Sequence, residues 1–300
     1  MLTQEASHIS QKSKISLKIS DYALLAKLRL SALVVISAVI VYALGTDQVN
    51  WMGMFWLALG GFLVTGSSNA YNQIMEINTD KLMTRTSNRP LVQDRMTKTE
   101  AIVVATLLGG LGVFILGYVH NIESALLSLF ALLSYTLVYT PLKKVTPFAV
   151  FVGAFPGAIP PLLGWVAATG TFSIEGWIFF SIQFIWQFPH FWAIAWVINE
   201  DYLKAGFKML PSVGGRDKSS AFQIFIYTLG LIPISLFPVL FNISGIISAV
   251  IIIISGVVFA FYAYKLFVHL KTEDATKLMF ASFVYIPVVF LAILIDQIAN

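Results

Sequence analysis

Long uninterrupted runs of apolar residues limit what this chain can fold into. The run "IISAVIIIISGVVFAFYAY" at 246–264 contains no charged residue, and about 20 such residues suffice to cross a bilayer as an α-helix. Only 11% of the residues are charged and the mean hydropathy is +0.82, whereas soluble domains carry about 25% charged residues. The runs are continuous rather than alternating, unlike the strands of a membrane β-barrel. We therefore expect an all-α, polytopic membrane protein.

Apolar segments separated by polar residues, glycine or proline predict nine transmembrane helices. These segments lie at 24–45, 51–72, 101–119, 124–140, 147–168, 174–198, 221–241, 244–264 and 278–297. An odd number of spans places the two termini on opposite sides of the membrane. Two connections on one side, 73–100 and 199–220, are long and polar, and long ordered loops often carry function.

The distribution of positive charge supports this count and orients the helices. The nine segments place all 19 Lys and Arg residues in alternate connections, on one side of the membrane. The charged residues of the other end are all acidic, namely Asp47, Glu123, Glu175 and Asp296. Because Lys and Arg collect on the cytoplasmic side, we expect the N-terminus and both long loops in the cytoplasm and the C-terminus on the opposite side.

The N-terminal segment 1–20 has no apolar core, so it is not a signal peptide. It contains Ser and Lys but no Arg, which fits a transit peptide poorly and favours a bacterial plasma membrane. We interpret it as a flexible cytoplasmic segment of a single membrane domain that spans 1–300. The chain has no cysteine, which excludes disulfides and thiolate chemistry, and its net charge of +4 requires no nucleic-acid partner.

A regular series of polar residues follows the second predicted span, in "NAYNQIMEINTDKLMTRTSNRP". Asn72, Glu76 and Asp80 recur every four residues, so on a continued helix they would form a stripe with neighbours ~6 Å apart. Two carboxylates this close repel each other unless a cation lies between them. Mg²⁺ typically takes one or two carboxylates together with substrate phosphates, and Arg85 and Arg89 supply forks for phosphate oxygens. The series predicts a diphosphate–Mg²⁺ site, with a solvated helix end as the alternative.

Two other segments carry candidate residues. Asp201 follows the sixth predicted span and would supply a further carboxylate if the two long loops face each other across the bundle. Tyr139, Lys143 and Lys144 lie in "YTPLKK", at the inner end of the fourth span. They would contact the diphosphate or the acceptor, or they would only anchor the helix at the interface.

These residues together resemble the UbiA superfamily of intramembrane prenyltransferases. The first motif of that family, Asn-x3-Asp-x3-Asp followed by Arg-Thr, is matched here by Asn72, Glu76, Asp80 and Arg85–Thr86, with Glu in place of the first Asp. The blocks "MTRTSNRPLV", "YTPLKK", "PHFWAIAW" and "DYLKAGFKMLP" are similar to the heme-modifying branch of the superfamily. The second acidic motif is shortened to Glu200 and Asp201, as in that branch, and leaves a second metal position open.

The resemblance implies a nine-helix bundle with a central cavity capped by cytoplasmic loops. It further implies transfer of farnesyl from farnesyl diphosphate to a vinyl group of heme b, with addition of water and release of diphosphate. Mg²⁺ on Asn72, Glu76, Asp80 and Asp201 would stabilise the leaving diphosphate. The product, heme O, implies as partners heme A synthase, which would oxidise it, or cytochrome oxidase assembly factors.

His190 lies inside the sixth predicted span, next to Pro189. An ionisable residue within a span is a functional candidate, and a neutral imidazole can bind heme iron. The alternative is a buried histidine that is bonded to a carbonyl freed by the proline. The run "PGAIPP" at 156–161 is expected to bend the fifth helix.

Three other interpretations stay open on the residues alone. A prenyltransferase with a quinone-precursor or other aromatic acceptor would share the same acidic and basic residues. A membrane transporter would also contain broken helices and buried polar groups, but near the membrane midplane and in inverted repeats. A purely structural membrane subunit would leave the series from Asn72 to Arg89 unexplained.

Overall fold

The computed structural model describes residues 16–46 and 48–299, and all regular structure in these ranges is helical. Of the predicted flexible segment, residues 1–15 lie outside the described part of the chain. Residues 16–20 are helical, because they form the first turns of the helix Ser16–Leu25. The assignment of the whole chain to one domain stays a prediction.

The described residues form eleven helices, of which nine are long and two, α1 and α8, are short. Their bounds are α1 Ser16–Leu25, α2 Leu28–Leu44, α3 Trp51–Asp80, α4 Lys98–Val119, α5 Ile122–Leu142, α6 Ala149–Thr169, α7 Ile174–Val197, α8 Asn199–Lys204, α9 Lys218–Leu240, α10 Ile246–His269 and α11 Thr272–Ala299. Each of the nine predicted spans coincides with one long helix, or with the pair α1 and α2.

Not every long helix is apolar enough to be a membrane span by itself. Within the described residues, six helices meet that test by length and hydropathy, and the bent pair α1–α2 makes a seventh. The helices α3 and α7 do not meet it. They carry several of the buried polar side chains of the bundle, including Asn72 and Glu76 on α3 and Gln183 and Gln187 on α7. The multi-pass helical bundle is confirmed, and the count of nine spans stays a prediction.

The first predicted span, 24–45, is broken near its start. The axes of α1 and α2 differ by 49°, and Lys27, between them, has a left-handed backbone with φ 47°. A residue with a Cβ atom rarely adopts this conformation, and such strained positions cluster at functional sites.

Side chains of α7 bond to backbone carbonyls of α6. Pro161 has no N–H group, so the carbonyl of Gly157, four residues earlier, lacks its partner within the helix. The Gln183 amide nitrogen donates to this carbonyl at 2.9 Å. The Gln187 amide nitrogen donates to the carbonyl of Ala154 at 2.8 Å. The prolines of this segment therefore leave a carbonyl that Gln183 satisfies inside the bundle, and the bend of the helix stays a prediction.

Helix α5 contains one wide turn. Residues Ser134–Tyr139 are π-helical, and the α-helix resumes at Thr140. Turns of this type contain an additional residue and occur often at functional sites.

Close backbone contact joins α6 to α2. A Cβ atom added at Gly164 would lie 2.1 Å from the backbone oxygen of Ala38. Only glycine allows the two helices to approach this closely.

All the described basic connections meet at one end of the bundle. The contacts that join them are Arg95 with Asp21, Lys143 with Glu76, the Arg85 amide with Asp201, and Lys218 on the Phe267 ring. At the opposite end, the Asp296 carboxylate accepts hydrogen bonds from the amides of Gly245 and Ser248 at the start of α10. Lys12, Lys14 and Asp47 lie outside the described residues. The separation of charge that the sequence predicted is therefore present in the fold.

Candidate active site

The predicted stripe of polar residues lies on the last turns of α3. The helix continues to Asp80, and Asn72, Glu76 and Asp80 are all buried, with 1–2% of their surface exposed. Burial of two carboxylates one turn apart costs free energy unless charges of opposite sign lie beside them. A solvated helix end, the alternative interpretation, is excluded by this burial.

Two cations compensate the two carboxylates. The Lys143 ammonium lies 2.6 Å from Oε1 of Glu76, and the Arg89 guanidinium pairs with Oδ2 of Asp80. Oδ1 of Asp80 is buried and has no hydrogen-bond partner within the described residues. A buried oxygen of this kind is available to a metal ion.

Asn72 contributes an amide to the same stripe. Its amide nitrogen lies 3.3 Å from the hydroxyl of Thr140, to which it donates. The amide oxygen is thereby left as the ligand atom. The donor set of Asn72, Glu76 and Asp80 fits Mg²⁺, which takes oxygen ligands and completes its shell with water and substrate phosphates.

Asp201 joins the two long loops. Its carboxylate accepts hydrogen bonds from the Arg85 backbone amide and the Lys204 ammonium, both at 3.0 Å. These two hydrogen bonds, of which the one from the Arg85 amide has the larger effect, lower the pKa of Asp201 to about 2. Across the described ranges, no three histidine or acidic side chains lie close enough together to hold a metal ion. The role of Asp201 as a metal ligand stays a prediction, and its observed contacts connect the loops.

The other predicted basic residues differ in their surroundings. Arg85 is exposed and holds Asp201 through its backbone, whereas its guanidinium has no ion pair within the described chain. Lys144 is exposed and likewise forms no ion pair there, unlike its neighbour Lys143. Binding of substrate by these two residues stays a prediction.

Tyr139 lies between the charged groups and the bundle interior. Its ring centre is 5.5 Å from the Lys143 ammonium, which also lies 5.4 Å from the ring centre of Phe207. A Cβ atom at Gly153 would approach the ring of Tyr139 to 2.5 Å, so a glycine provides the space for it.

Lys27 is a further cation that the sequence analysis missed. It interacts electrostatically with Arg89, Lys143 and Arg85, and with the carboxylate of Glu76. The break between α1 and α2 places Lys27 near Glu76 and its neighbouring cations. In the sequence, Lys27 is distinguished only by its position near the start of an apolar run. Lysines at such positions usually anchor a helix at the membrane interface, so this position did not indicate a role in the site.

A mostly apolar cavity of about 280 Å³ lies next to these groups. Its walls come from α2, α3, α5, α6, α7 and α11, and Asn69, Tyr135 and Tyr139 line it near the charged residues. His190 lines the same cavity, together with Trp186 and Phe283. The apolar cavity, which can hold an apolar molecule, therefore lies directly beside charged residues that can bind a charged group.

Comparison with known proteins assigns this arrangement to a family. Residues 33–286 match the UbiA prenyltransferase family. Three bacterial relatives are named protoheme IX farnesyltransferase. The relative from Cytophaga hutchinsonii is 45% identical over 92% of this chain and 97% of its own length. The relative from Christiangramia forsetii is 47% identical over 93% and 94% of the two chains, and that from Flavobacterium johnsoniae is 43% identical over 95% and 98%.

Solved structures have the same fold. A digeranylgeranylglyceryl phosphate synthase superposes with a TM-score of 0.77 at 20% identity, over 94% of this chain and 99% of the other. A UbiA homolog from Archaeoglobus fulgidus bound to GPP and Mg²⁺ superposes with a TM-score of 0.66 at 17% identity, over 91% and 99%. The chain belongs to the UbiA prenyltransferase family.

Proposed function

We propose that this chain transfers the farnesyl group of farnesyl diphosphate to a vinyl group of heme b. The C1–O bond of farnesyl diphosphate breaks, and C1 bonds to the terminal carbon of the vinyl group. Water adds to the other vinyl carbon and loses a proton. The products are heme O and diphosphate. The names of the relatives that are 43–47% identical support this acceptor.

The observation that carries the proposal is the orphaned Oδ1 of Asp80, beside two buried ion pairs at one end of an apolar cavity. Carboxylates and cations together suit a metal-bound diphosphate, and the apolar cavity suits a prenyl chain. A transport site would lie near the membrane midplane, whereas these ion pairs lie at the end of the bundle where the basic connections meet. Family membership likewise favours an enzyme over a transporter or a structural subunit.

Asn72, Glu76 and Asp80 would hold Mg²⁺, with Asp201 as a further candidate ligand that would have to leave its present partners. When bound, the metal neutralises charge that develops on the departing diphosphate. A solved UbiA homolog of the same fold is bound to GPP and Mg²⁺, which supports a diphosphate substrate and Mg²⁺ for this chain.

The basic residues would bind the diphosphate oxygens. Lys143 and Arg89 now neutralise Glu76 and Asp80, so a metal between the carboxylates would release both cations toward the phosphates. Lys27, Arg85 and Lys144 would add positive charge around the leaving group. Such fixed charges stabilise an anion better than water does, because they need no reorganisation when it forms.

The cavity would exclude water while the allylic cation exists. Its apolar lining shields the cation, and aromatic faces can stabilise a positive charge. Tyr139, at the end nearest the ion pairs, would separate the diphosphate from the acceptor. His190 would contact the acceptor from within the cavity.

The cellular setting follows from the charge distribution. We propose a bacterial plasma membrane, with the N-terminus and the site in the cytoplasm and the C-terminus on the other side. The chemistry of the product suggests heme A synthase or a cytochrome oxidase assembly factor as a functional partner.

Mass spectrometry of the product tests the proposal. Membranes that contain the protein are incubated with heme b, farnesyl diphosphate and Mg²⁺, with EDTA in a parallel sample. The expected result is a Mg²⁺-dependent heme product that has gained one farnesyl group and one water. If heme stays unmodified while a quinone precursor is prenylated, the heme proposal is wrong and the aromatic-acceptor alternative takes its place.

A further inference from the structure

The imidazole of His190 is held on three sides. The Trp186 ring, one turn earlier on α7, stacks on it with centroids 4.3 Å apart and planes 15° from parallel. The Phe283 ring of α11 meets it edge-on at 5.0 Å. The third contact is polar, since Nδ1 of His190 lies 2.7 Å from the hydroxyl oxygen of Ser282.

Ser282 bonds to both Trp186 and His190 of α7. Its backbone carbonyl accepts a hydrogen bond from the Trp186 indole at 2.9 Å, while its hydroxyl contacts His190. Ser282 has no exposed surface and His190 is 7% exposed. The orientation of the imidazole is therefore determined by α11 as well as by its own helix.

The direction of the hydrogen bond to His190 follows from a neighbouring carbonyl. The Ser282 hydroxyl oxygen lies 2.6 Å from the carbonyl oxygen of Met279, which can only accept a hydrogen bond. The single hydroxyl hydrogen must therefore point to Met279. The Ser282 oxygen is left to accept, so Nδ1 of His190 carries the proton.

This tautomer leaves Nε2 of His190 unprotonated. The neutral imidazole has one donor and one acceptor nitrogen, and Nδ1 is the donor here. Nε2 has no hydrogen bond within the described residues, and His190 lines the central cavity. A lone pair on a fixed imidazole beside an apolar cavity matches the requirement for an axial ligand of heme iron.

We infer that Ser282 is a positioning residue that fixes the Nδ1–H tautomer of His190 and so presents Nε2 to the iron of an iron porphyrin in the cavity. The inference rests on the proposed heme acceptor. Histidine ligands of metals almost always donate their other N–H group to an oxygen, which orients the ring and raises its basicity. Ser282 supplies that oxygen from the neighbouring helix.

Iron binding by variants tests the inference. The purified full-length chain in lipid nanodiscs is titrated with ferric heme b and, separately, with iron-free protoporphyrin IX. Resonance Raman spectra of the reduced heme complex report the stretch of the iron–imidazole bond. The variants are Ser282→Ala, Ser282→Thr and His190→Ala. Ser255→Ala is the matched control, because among the described residues this hydroxyl bonds only carbonyls of its own helix, α10.

The wild-type complex is expected to have an iron–imidazole stretch, and His190→Ala is expected to lose it. Ser282→Ala weakens heme binding by about 10–100-fold and lowers the frequency of the stretch, whereas Ser282→Thr keeps the hydroxyl and restores both. Affinity for iron-free porphyrin is the same in all variants. If Ser282→Ala binds heme with wild-type affinity and frequency, or loses both porphyrins equally, the positioning role is refuted.

Activity measured in parallel separates this inference from the proposed function. If farnesylated heme forms but the wild-type spectrum has no iron–imidazole stretch, the inference is wrong and the proposed function stands. If the stretch is present and no farnesylated heme forms, the tautomer assignment stands and the proposed reaction is wrong.

Discussion

The buried pair of Lys143 and Glu76 predicts a loss of stability that Mg²⁺ reverses. The two charged groups lie 2.6 Å apart, and their side chains are only 12% and 3% exposed. In Lys143→Met the Glu76 carboxylate loses its partner and stays largely buried. Removal of one member of a buried pair costs about 3–5 kcal/mol. At about 2 °C per kcal/mol, the lower end of the range for large domains, that cost lowers the melting temperature by about 6–10 °C.

The assay compares apparent melting temperatures of the purified protein in EDTA and in Mg²⁺ with inorganic diphosphate, at one scan rate because membrane proteins often unfold irreversibly. A divalent cation next to Glu76 replaces the missing ammonium, so Mg²⁺ raises the melting temperature of Lys143→Met more than that of the wild type. The double variant Lys143→Met, Glu76→Gln recovers stability in EDTA, because it contains no uncompensated carboxylate at this position.

Lys144→Met provides the matched control. Lys144 is the next residue, is exposed, and has no ion pair within the described chain. Its replacement is expected to change the melting temperature by no more than about 1 °C, as is usual for surface positions. If Lys143→Met and Lys144→Met have the same melting temperature in EDTA, Lys143 does not compensate the charge of Glu76 and the reasoning is refuted.

Three further predictions concern the metal site, the packing of α6 and the contact between the loops. Asp80→Ala lowers kcat at least about 10²-fold without loss of protein from the membrane; full activity would remove the metal role. Gly164→Ala lowers the free energy of unfolding by about 1–3 kcal/mol, because its Cβ would lie 2.1 Å from a backbone oxygen. Gly110→Ala raises it by about 0.5–1 kcal/mol, because the added Cβ meets no atom of another segment within 4 Å. Equal melting temperatures of the two variants would contradict this. The pKa of Asp201 is lowered from 3.8 to about 2, so its stabilising contact is complete above pH 4 and is lost as the pH falls toward 2. Hydrogen exchange of the Arg85 amide, corrected for its intrinsic rate, measures this loss, and a loss of protection already at pH 6 would refute the assignment.

Periodicity and charge in the sequence are sufficient to predict much of the fold. Apolar runs locate the long helices because the bilayer requires a minimum length. The four-residue spacing of Asn72, Glu76 and Asp80 predicts their common face because the helix period is close to four. The basic connections predict which ends lie together.

The partners of the site residues could not be predicted in this way. Ser282 and His190 are separated by 92 positions, and no local pattern relates them. Lys27 takes a left-handed conformation that lysine rarely adopts, so nothing in its residue type predicts the break between α1 and α2. Lys143 and Lys144 are identical in type, and only the course of the chain after α5 decides which one is buried beside Glu76.

The wide turn at Ser134–Tyr139 gives this segment a required length. One residue deleted there would convert the turn to an ordinary α-helix and rotate everything beyond it by about 100° around the helix axis. Thr140 would then leave Asn72, and Lys143 would leave Glu76. Substitutions keep this register, but an insertion or deletion of one codon would move α5 out of register with the acidic stripe. The number of residues between 134 and 143 is thus a functional requirement in addition to the side chains of Tyr139, Thr140 and Lys143.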